Sequence, residues 1–545
     1  MTTALLQRLA PSCLVVAAAL TAWLGTHAAG LGVEHDNESL RSTDAGDIRT
    51  YAEFKANFGS DEDILLAVGH PQLLAPPGLV LVADLTREVA GMDGVRGVWS
   101  LANAEELVAG DAGAEPRALL SPPWDAPGIE ARASAALERN PDFTGWLVSA
   151  DRRVAGVVVE IEDRPGDTGY RRRLVTALRD LAPSVAARGG DLHLTGVPVQ
   201  KIDVSAYVDR DQRVLLPAAV AVLGLTLAIF LRHVSGVLVP LGAAGITVVW
   251  TLGLYAATGH ATNAITALLP PVLLVIALAT TIHVYVAWLR DGHPGDAPSS
   301  GHSTDRQARA VRAVRAVFVP ALLCAITSAG GFLSLSLGDL PAVRQFGLFA
   351  AFGCVVAFVV AMTVVPAALG YMTPPPRRPS DEHDWTLRFL DVTSGLATRR
   401  PAAVLVAFAL VTVVLAAGIP KLRTNTDLVG FLREDAPLRR DTEWIDANLA
   451  GTLPLDFMIR RADGRPLLDL DTISRLGELE DRIREREPVA GVTSIVALAR
   501  QVNRAESGSD GLTLPTDAGM LQQQLDLLDE SGHSLVRRFA APEMT

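Results

Sequence analysis

The stretch FGLFAAFGCVVAFVVAMTVVPAALGY, residues 346–371, contains no charged side chain. As a helix it exceeds the roughly 20 residues needed to cross about 30 Å of hydrocarbon. Six further apolar stretches bring the number of predicted membrane spans to seven, numbered here one to seven along the chain: 10–31, 214–231, 237–257, 264–289, 317–337, 346–371 and 402–419. The sequence therefore predicts an α-helical polytopic membrane protein.

The overall composition agrees with this class. Of the 545 residues, 49% are apolar and 20% are charged, which is low in charge for a soluble domain. The 60 acidic residues outnumber the 48 basic ones, for a net charge of −12, so nucleic acid is not an expected partner. Cys13, Cys324 and Cys354 lie in apolar runs without metal-ligand spacing, and we predict neither a disulfide framework nor a metal site.

Charges in the loops predict the orientation. Arginines concentrate between spans four and five and between spans six and seven, which predicts that both segments are cytoplasmic. They are Arg306, Arg309, Arg312 and Arg315 in the first loop, and Arg377, Arg378, Arg388, Arg399 and Arg400 in the second. Counting crossings then places residues 1–9 in the cytoplasm and residues 34–212 and 421–545 on the extracytoplasmic side.

The two long soluble segments have the pattern of an internal repeat. Residues 34–40, 57–60 and 94–100 correspond to 424–432, 448–452 and 488–494, at an offset of about 391 to 394 residues. A constant offset pairs span one with span seven, which favours a retained helix over a signal peptide cleaved after Thr26-His27-Ala28. The second copy ends in a predicted helix within 521–545, and the repeat predicts five further spans beyond this chain.

Strands and helices alternate within the first soluble segment. We predict strands near 63–69, 95–101, 146–148, 154–162 and 191–195, helices near 78–90 and 170–181, and a strand of the second copy at 455–459. This order suits α/β domains of the split βαβ, ferredoxin-like type, with helices on one face of a mixed sheet. The predicted domains are 34–212, a five-helix membrane block at 214–371 with a cytoplasmic loop at 290–316, a cytoplasmic linker at 372–400, and an incomplete second domain at 421–545.

Short motifs add a family resemblance. They are TGVPV (195–199), LLPPVLL (268–274), TSAGGFLSL (327–335), VRQFGLF (343–349) and VVPAAL (364–369). With this order of spans, the chain resembles the resistance-nodulation-division (RND) superfamily, especially its MMPL-like and sterol-sensing-type lipid exporters. The resemblance implies an RND-type fold with its first repeat complete and its second partial, in the cell (inner) membrane.

Glycines and prolines point to sites of helix packing and bending. Four glycines in spans five and six allow close approach of helices in lipid, with plain packing as the simpler interpretation and a transport hinge as the other: Gly330, Gly331, Gly347 and Gly353. Pro270 and Pro271 break or bend span four near its start. Both a simple kink and a hinge fit that position.

Span four departs from the family pattern. The resemblance implies a proton-carrying aspartate there, but its position falls on Thr280, and no Asp or Glu occurs within 214–289. His283 is the ionisable group inside this span, and Thr280, Thr281 and Tyr285 could extend a proton relay or coupling path. The alternatives are that His283 bonds a neighbouring helix or lies near the cytoplasmic interface, and that the threonines bond their own helix.

These observations predict an inner-membrane transporter that exports or relocates hydrophobic or lipid-like molecules using an ion gradient. The alternative is a non-pumping lipid-sensing or assembly protein with a sterol-sensing-like membrane block, which the missing aspartate favours. No nucleotide-binding loop or hydrolase motif occurs, so neither enzymatic activity nor a cofactor is expected. The expected partner is a membrane lipid or hydrophobic small molecule, with a homo-oligomer and a second-half partner chain as alternatives for assembly.

Overall fold

The computed structural model describes most of the chain. The described residues are 3–32, 45–58, 62–109, 114–162, 164, 167, 169–290, 303–375, 385–422, 429–430, 432–449, 451–452, 455–460, 470–486, 489, 491–507, 513–514 and 519, without the side chains of 3–9, 45, 303–305, 385–390 and 506. The predictions for 34–40, 424–428 and 521–545 lie outside the described residues.

In chain order, the helices and strands are α1 (Thr3–Ala29), α2 (Ala45–Phe58), β1 (Asp63–Gly69), α3 (Pro76–Ala90), β2 (Val95–Trp99), β3 (Glu105–Ala109), β4 (Ala114–Ala118), α4 (Ile129–Arg139), β5 (Val154–Ile161), α5 (Tyr170–Arg179), α6 (Ala182–Ala187), β6 (Asp191–Gly196), α7 (Val197–Leu231), α8 (Val234–Ala257), α9 (Leu269–Arg290), α10 (Ser303–Ser334), α11 (Pro341–Leu369), α12 (Trp385–Arg399), α13 (Pro401–Ala416), α14 (Pro437–Asn448), α15 (Leu470–Arg484) and α16 (Ile495–Ser507). Short 3-10 turns lie at Thr266–Leu268 and Ile419–Lys421, among others.

Seven helical segments among the described residues are long and apolar enough to cross a membrane. They are α1, α7, α8, α9, α10, α11 and α13, in the order of spans one to seven. The predicted class, a helical polytopic membrane protein, is confirmed. Helix α11 is the most buried of the seven and packs against α1, α8, α9 and α10, whereas no residue of α13 is buried.

The first soluble segment is built on a four-stranded sheet. Its strand order is β2-β5-β1-β6, and each neighbouring pair is antiparallel. The prediction of a mixed sheet was wrong, because each crossover joins parallel strands that an antiparallel strand separates, as in split βαβ units. Within the predicted strand at 146–148, Val148 forms only isolated bridges. The hairpin of β3 and β4 has no counterpart among the sequence predictions.

The two faces of this sheet are covered from different parts of the chain. Helices α3 and α5 cover the face that carries Ile64, Leu66 and Val68 of β1. On the opposite face, Ala67 packs with Ile445 of α14, and α14 follows span seven. The segment after span seven therefore completes the core of the first soluble segment.

The predicted strand at 455–459 is not formed. Residues 455–460 belong to no strand, and Leu455 and Phe457 are exposed. Alternating apolar residues form a stable strand when one face is covered, and no second layer covers this stretch within the described part of the chain.

Strand β6 continues directly into span two. It ends at Gly196, whose φ of +127° favours glycine, and α7 begins at the next residue and runs for 35 residues. Lys201 Nζ on α7 lies 2.5 Å from Glu62 Oε1, and Arg171 Nη2 lies 2.8 Å from Glu62 Oε2. Because Lys201 and Glu62 are both buried, this cluster fixes the N-terminal part of α7 to the sheet.

Candidate transport site in the membrane block

The helix of span four begins at a pair of prolines. Pro270 and Pro271 lie in the first turn of α9, after the 3-10 turn at Thr266–Leu268. The first turn tolerates proline because its N–H groups have no intrahelical acceptor. Asn263 Oδ1 accepts hydrogen bonds from the backbone N–H of Ile265 (3.1 Å) and Thr266 (2.9 Å), where the 3-10 turn begins. The hinge role stays a prediction.

The four polar residues predicted on span four do not share one face. Thr280 is half-buried, and its Oγ1 donates to the carbonyl of Ile276 at 3.1 Å. Thr281 and Tyr285 are buried on one face, and Thr281 Oγ1 has no hydrogen-bond partner among the described residues. His283 is exposed on the outside of α9. The structure therefore brings Thr281 and Tyr285 together and leaves His283 apart.

A different histidine connects with Tyr285. Tyr285 Oη lies 2.7 Å from Ser235 Oγ, and Ser235 Oγ lies 3.2 Å from Nδ1 of His233. His233 is exposed in the turn between α7 and α8, the turn that follows span two and that the predicted orientation places in the cytoplasm. The three residues, called here the relay, form a hydrogen-bonded chain from the buried interior of the block to its surface.

The sequence offered little to identify the relay. The only signal is a His-x-Ser sequence directly after span two, and its contact with Tyr285 depends on how α8 packs against α9. Hydroxyl groups can accept one proton while donating another, and imidazole titrates near neutral pH. The relay therefore links a buried hydroxyl to an exposed imidazole through groups that can each donate and accept a hydrogen bond, without a carboxylate.

Further hydroxyl groups lie inside the block but bond to their own helix. Thr247 Oγ1 donates to Ala243 O, and Thr251 Oγ1 donates to Thr247 O, each at 2.9 Å. Both threonines are buried on α8. These hydroxyls satisfy helix carbonyls, in contrast with Thr281, whose hydroxyl is available to a further group.

The four predicted packing glycines fall into two pairs. A Cβ at Gly353 would overlap Leu273 of α9, and a Cβ at Gly347 would lie 2.6 Å from Phe332 O of α10. In contrast, a Cβ at Gly330 or Gly331 would meet nothing within 4 Å in the described structure. Close helix packing therefore depends on the glycines of α11, and a packing role for the other two stays a prediction.

An apolar groove of about 450 Å³ lies between α1, α8 and α11. It is lined by Leu14, Ala17, Ala18, Thr21 and Ala22 of α1, Ile246 of α8 and Val364 of α11. Thr21 Oγ1 donates to Ala17 O (2.7 Å) and accepts from Trp250 Nε1 (2.9 Å). The hydroxyl in the lining thus has its bonds within the protein, and the exposed Ala18 and Ala22 leave the groove open on its outer side.

Seven membrane-crossing helices and an α/β segment on the connection after span one define a multi-pass membrane protein. A model of the MMPL family matches residues 89–404, more than half of the chain, and the protein belongs to this family. The family match and the seven apolar helices agree on a location in the membrane.

One curated relative has a name that agrees with a membrane location. Membrane protein SCO5905 of Streptomyces coelicolor is 32% identical over 237 residues, which cover 42% of this chain and 26% of that protein. The match thus spans about a quarter of the relative's length.

Proposed function

We propose that this protein relocates lipid-like molecules in the cell (inner) membrane and that an ion gradient drives the movement. The apolar groove between α1, α8 and α11 is the observation that carries the lipid-like class. At membrane depth the surroundings are hydrocarbon, and the hydroxyl in the lining is already bonded. An apolar groove of this kind suits an acyl chain better than a polar solute.

The relay supports the ion-driven part of the proposal. It joins the buried Tyr285 to His233 through Ser235, and imidazole is the side chain that changes charge near neutral pH. We propose that the turn holding His233 faces the cytoplasm. Residues 34–212 and 421–545 then lie on the extracytoplasmic side.

A non-pumping lipid sensor or assembly protein is the second candidate. It is favoured by residues 214–289, which hold no carboxylate, because a sensor needs a lipid site but no proton-carrying acid. The groove fits both candidates, so lipid capture tests the lipid-like class, and gradient dependence separates a pump from a sensor. A membrane lipid is the proposed partner in either case, and a second copy or a second-half chain is the proposed assembly partner.

Lipid capture tests the groove. The full chain is reconstituted in vesicles of phosphatidylethanolamine and phosphatidylglycerol that contain a phosphatidylglycerol with a diazirine on its acyl chain. After illumination, we expect labelled peptides from 14–22. Ala18→Phe fills the groove, and we expect it to reduce this labelling severalfold, whereas Val16→Phe adds bulk on an exposed face of α1 and should leave it unchanged. Equal labelling of wild type and both variants would contradict the groove as a lipid site.

A further inference from the structure

His193 of β6 joins the strand to helix α14. Its ring stacks on Trp444 with the ring centroids 3.9 Å apart and the planes at 20°. Its Nδ1 lies 2.9 Å from Asp441 Oδ1, and its Nε2 lies 3.1 Å from Asp191 Oδ2. Asp441 Oδ2 also accepts the backbone N–H of Leu194 at 3.4 Å. The imidazole thus has a carboxylate on each side and an indole ring against its face.

The proton count of His193 decides how many of these bonds form. An ionised carboxylate only accepts, and a neutral imidazole has a single N–H, so both bonds require the protonated ring. Burial lowers the pKa of His193, but the hydrogen bonds with Asp441 and Asp191 together raise it by more than burial lowers it. The pKa therefore lies above its ordinary value of 6.5. The fully bonded contact is therefore the protonated one.

Other elements around His193 place few charges near it. In β1 the residue opposite His193 is Ala67. In α5, Arg179 forms two hydrogen bonds with Asp203, at 2.9 and 2.6 Å, and is also attracted by Asp441. Among the described residues, Asp191 and Asp441 are the charged groups that raise the pKa of His193.

The remaining contacts between β6 and α14 do not titrate near neutral pH. The hydroxyls of Thr195 and Thr442 share a buried hydrogen bond of 2.8 Å. Leu438 is fully buried in the core of the sheet. On α14 itself, Arg439 pairs with Glu443 at 2.7 Å. His193 is thus the group in this contact whose charge changes in the physiological range.

The contact lies between two segments that are each joined to a membrane helix. Strand β6 continues without a linker into α7, which is span two, and α14 follows α13, which is span seven. The contact between His193 and Asp441 therefore ties the segment after span seven to the strand that leads into span two.

We propose that His193 and Asp441 form a proton-dependent latch, which stabilises the packing of α14 on β6 while the imidazole is protonated and weakens it when the proton is lost. The latch goes beyond the proposed function, because it does not depend on what the protein moves. Since contact with Asp441 raises the pKa of His193, the stabilisation is complete below the pKa of the undocked imidazole and is lost as the pH rises through the higher pKa of the docked one.

Hydrogen exchange of α14 tests the latch. The full chain in lipid nanodiscs is exchanged between pH 5.5 and 8.5, and peptides covering 438–449 are compared after correction for the intrinsic effect of pH. We expect their exchange to accelerate about tenfold above pH 6.5, the loss typical of a charge-assisted hydrogen bond. His193→Gln should remove this pH dependence, and Asp441→Asn should shift it to lower pH.

His70 supplies the matched control. Its Nδ1 accepts the backbone N–H of Gln72 at 3.1 Å, and His70→Gln should keep the wild-type response of α14. Peptides covering β1 and β5 report whether each variant keeps its sheet. If β1 and β5 lose their protection from exchange in His193→Gln, Asp191→Asn is used as the test variant instead, and it should shift the response of α14 to lower pH. An unchanged pH response in a folded His193 or Asp191 variant, or no response in the wild type, would overturn the latch.

Discussion

Side-chain volume at single positions sets how closely the membrane helices approach. Gly353 faces Leu273 of α9 so closely that a Cβ has no room, whereas Gly330 faces open space in the described structure. In lipid, where apolar surfaces gain little by leaving the solvent, such close packing is a main source of helix association. Glycines that look alike in the sequence therefore differ in their energetic importance.

The valine substitutions at these two positions test the difference. Gly353→Val forces α11 away from α9, and we expect a loss of about 1–3 kcal/mol, the range typical of overpacked cores. Gly330→Val is the control and should change stability by less than about 0.5 kcal/mol. Thermal unfolding of both variants in detergent measures the effect, and equal midpoints for the two would contradict the packing of α11 on α9.

The face of a helix also decides which polar residues can act together. Spacing alone predicts that Thr281 and Tyr285 share a face, and the structure places them so. His283 lies two positions from each, or about 200° around the helix, and it is exposed. The link from Tyr285 to His233 crosses from α9 to α8 through Ser235. Contacts between helices cannot be obtained from the spacing within one helix.

At the scale of elements, the direct connection between β6 and α7 couples the position of span two to that of the sheet. Gly196 leaves no loop between them, and the buried Lys201 and Glu62 hold α7 against the sheet. A helix held in this way moves together with the domain, because a bend at the joint would separate a buried ion pair.

Removing the lysine tests the joint. Lys201→Met removes the ammonium partner of the buried Glu62, and we expect a loss of about 3 kcal/mol, the lower end for a broken buried pair. Arg87→Ala is the control, since Arg87 forms an exposed pair with Asp84 and should cost less than about 1 kcal/mol. Thermal unfolding of the full chain compares them. A loss for Lys201→Met no larger than that for Arg87→Ala would refute the role of the ion pair.

Elements with a strong local pattern can be predicted from the sequence. Strands β1, β5 and β6 lie within one residue of their predicted bounds, because apolar runs there are bounded by turn residues. The hairpin of β3 and β4 escapes prediction since Glu105–Ala109 and Ala114–Ala118 contain charged residues and a proline. Its partner helix α16 comes from far along the chain, and no local signal encodes that contact.

At the scale of the whole molecule, the two soluble segments share one core. Helix α14 covers the open face of the first sheet, and α16 packs on the β3–β4 hairpin. The repeat pattern predicts two separate copies. It cannot reveal that helices of the second segment pack on the first, because sequence similarity does not specify which copy a helix packs against. Spans two and seven are thereby connected outside the membrane, which is the arrangement that the latch would control.

The proposed function requires that an ion gradient accelerate the movement of lipid through the membrane block. Vesicles of phosphatidylethanolamine and phosphatidylglycerol containing the full chain and a fluorescent phosphatidylglycerol are given a pH gradient, and dithionite quenching reports the leaflet of the probe. We expect the gradient to accelerate its movement, and Ser235→Ala to reduce the rate at least about tenfold. Ser334→Ala, which removes a bond within α10, should leave the rate unchanged. The same wild-type rate with and without the gradient would contradict ion-driven relocation.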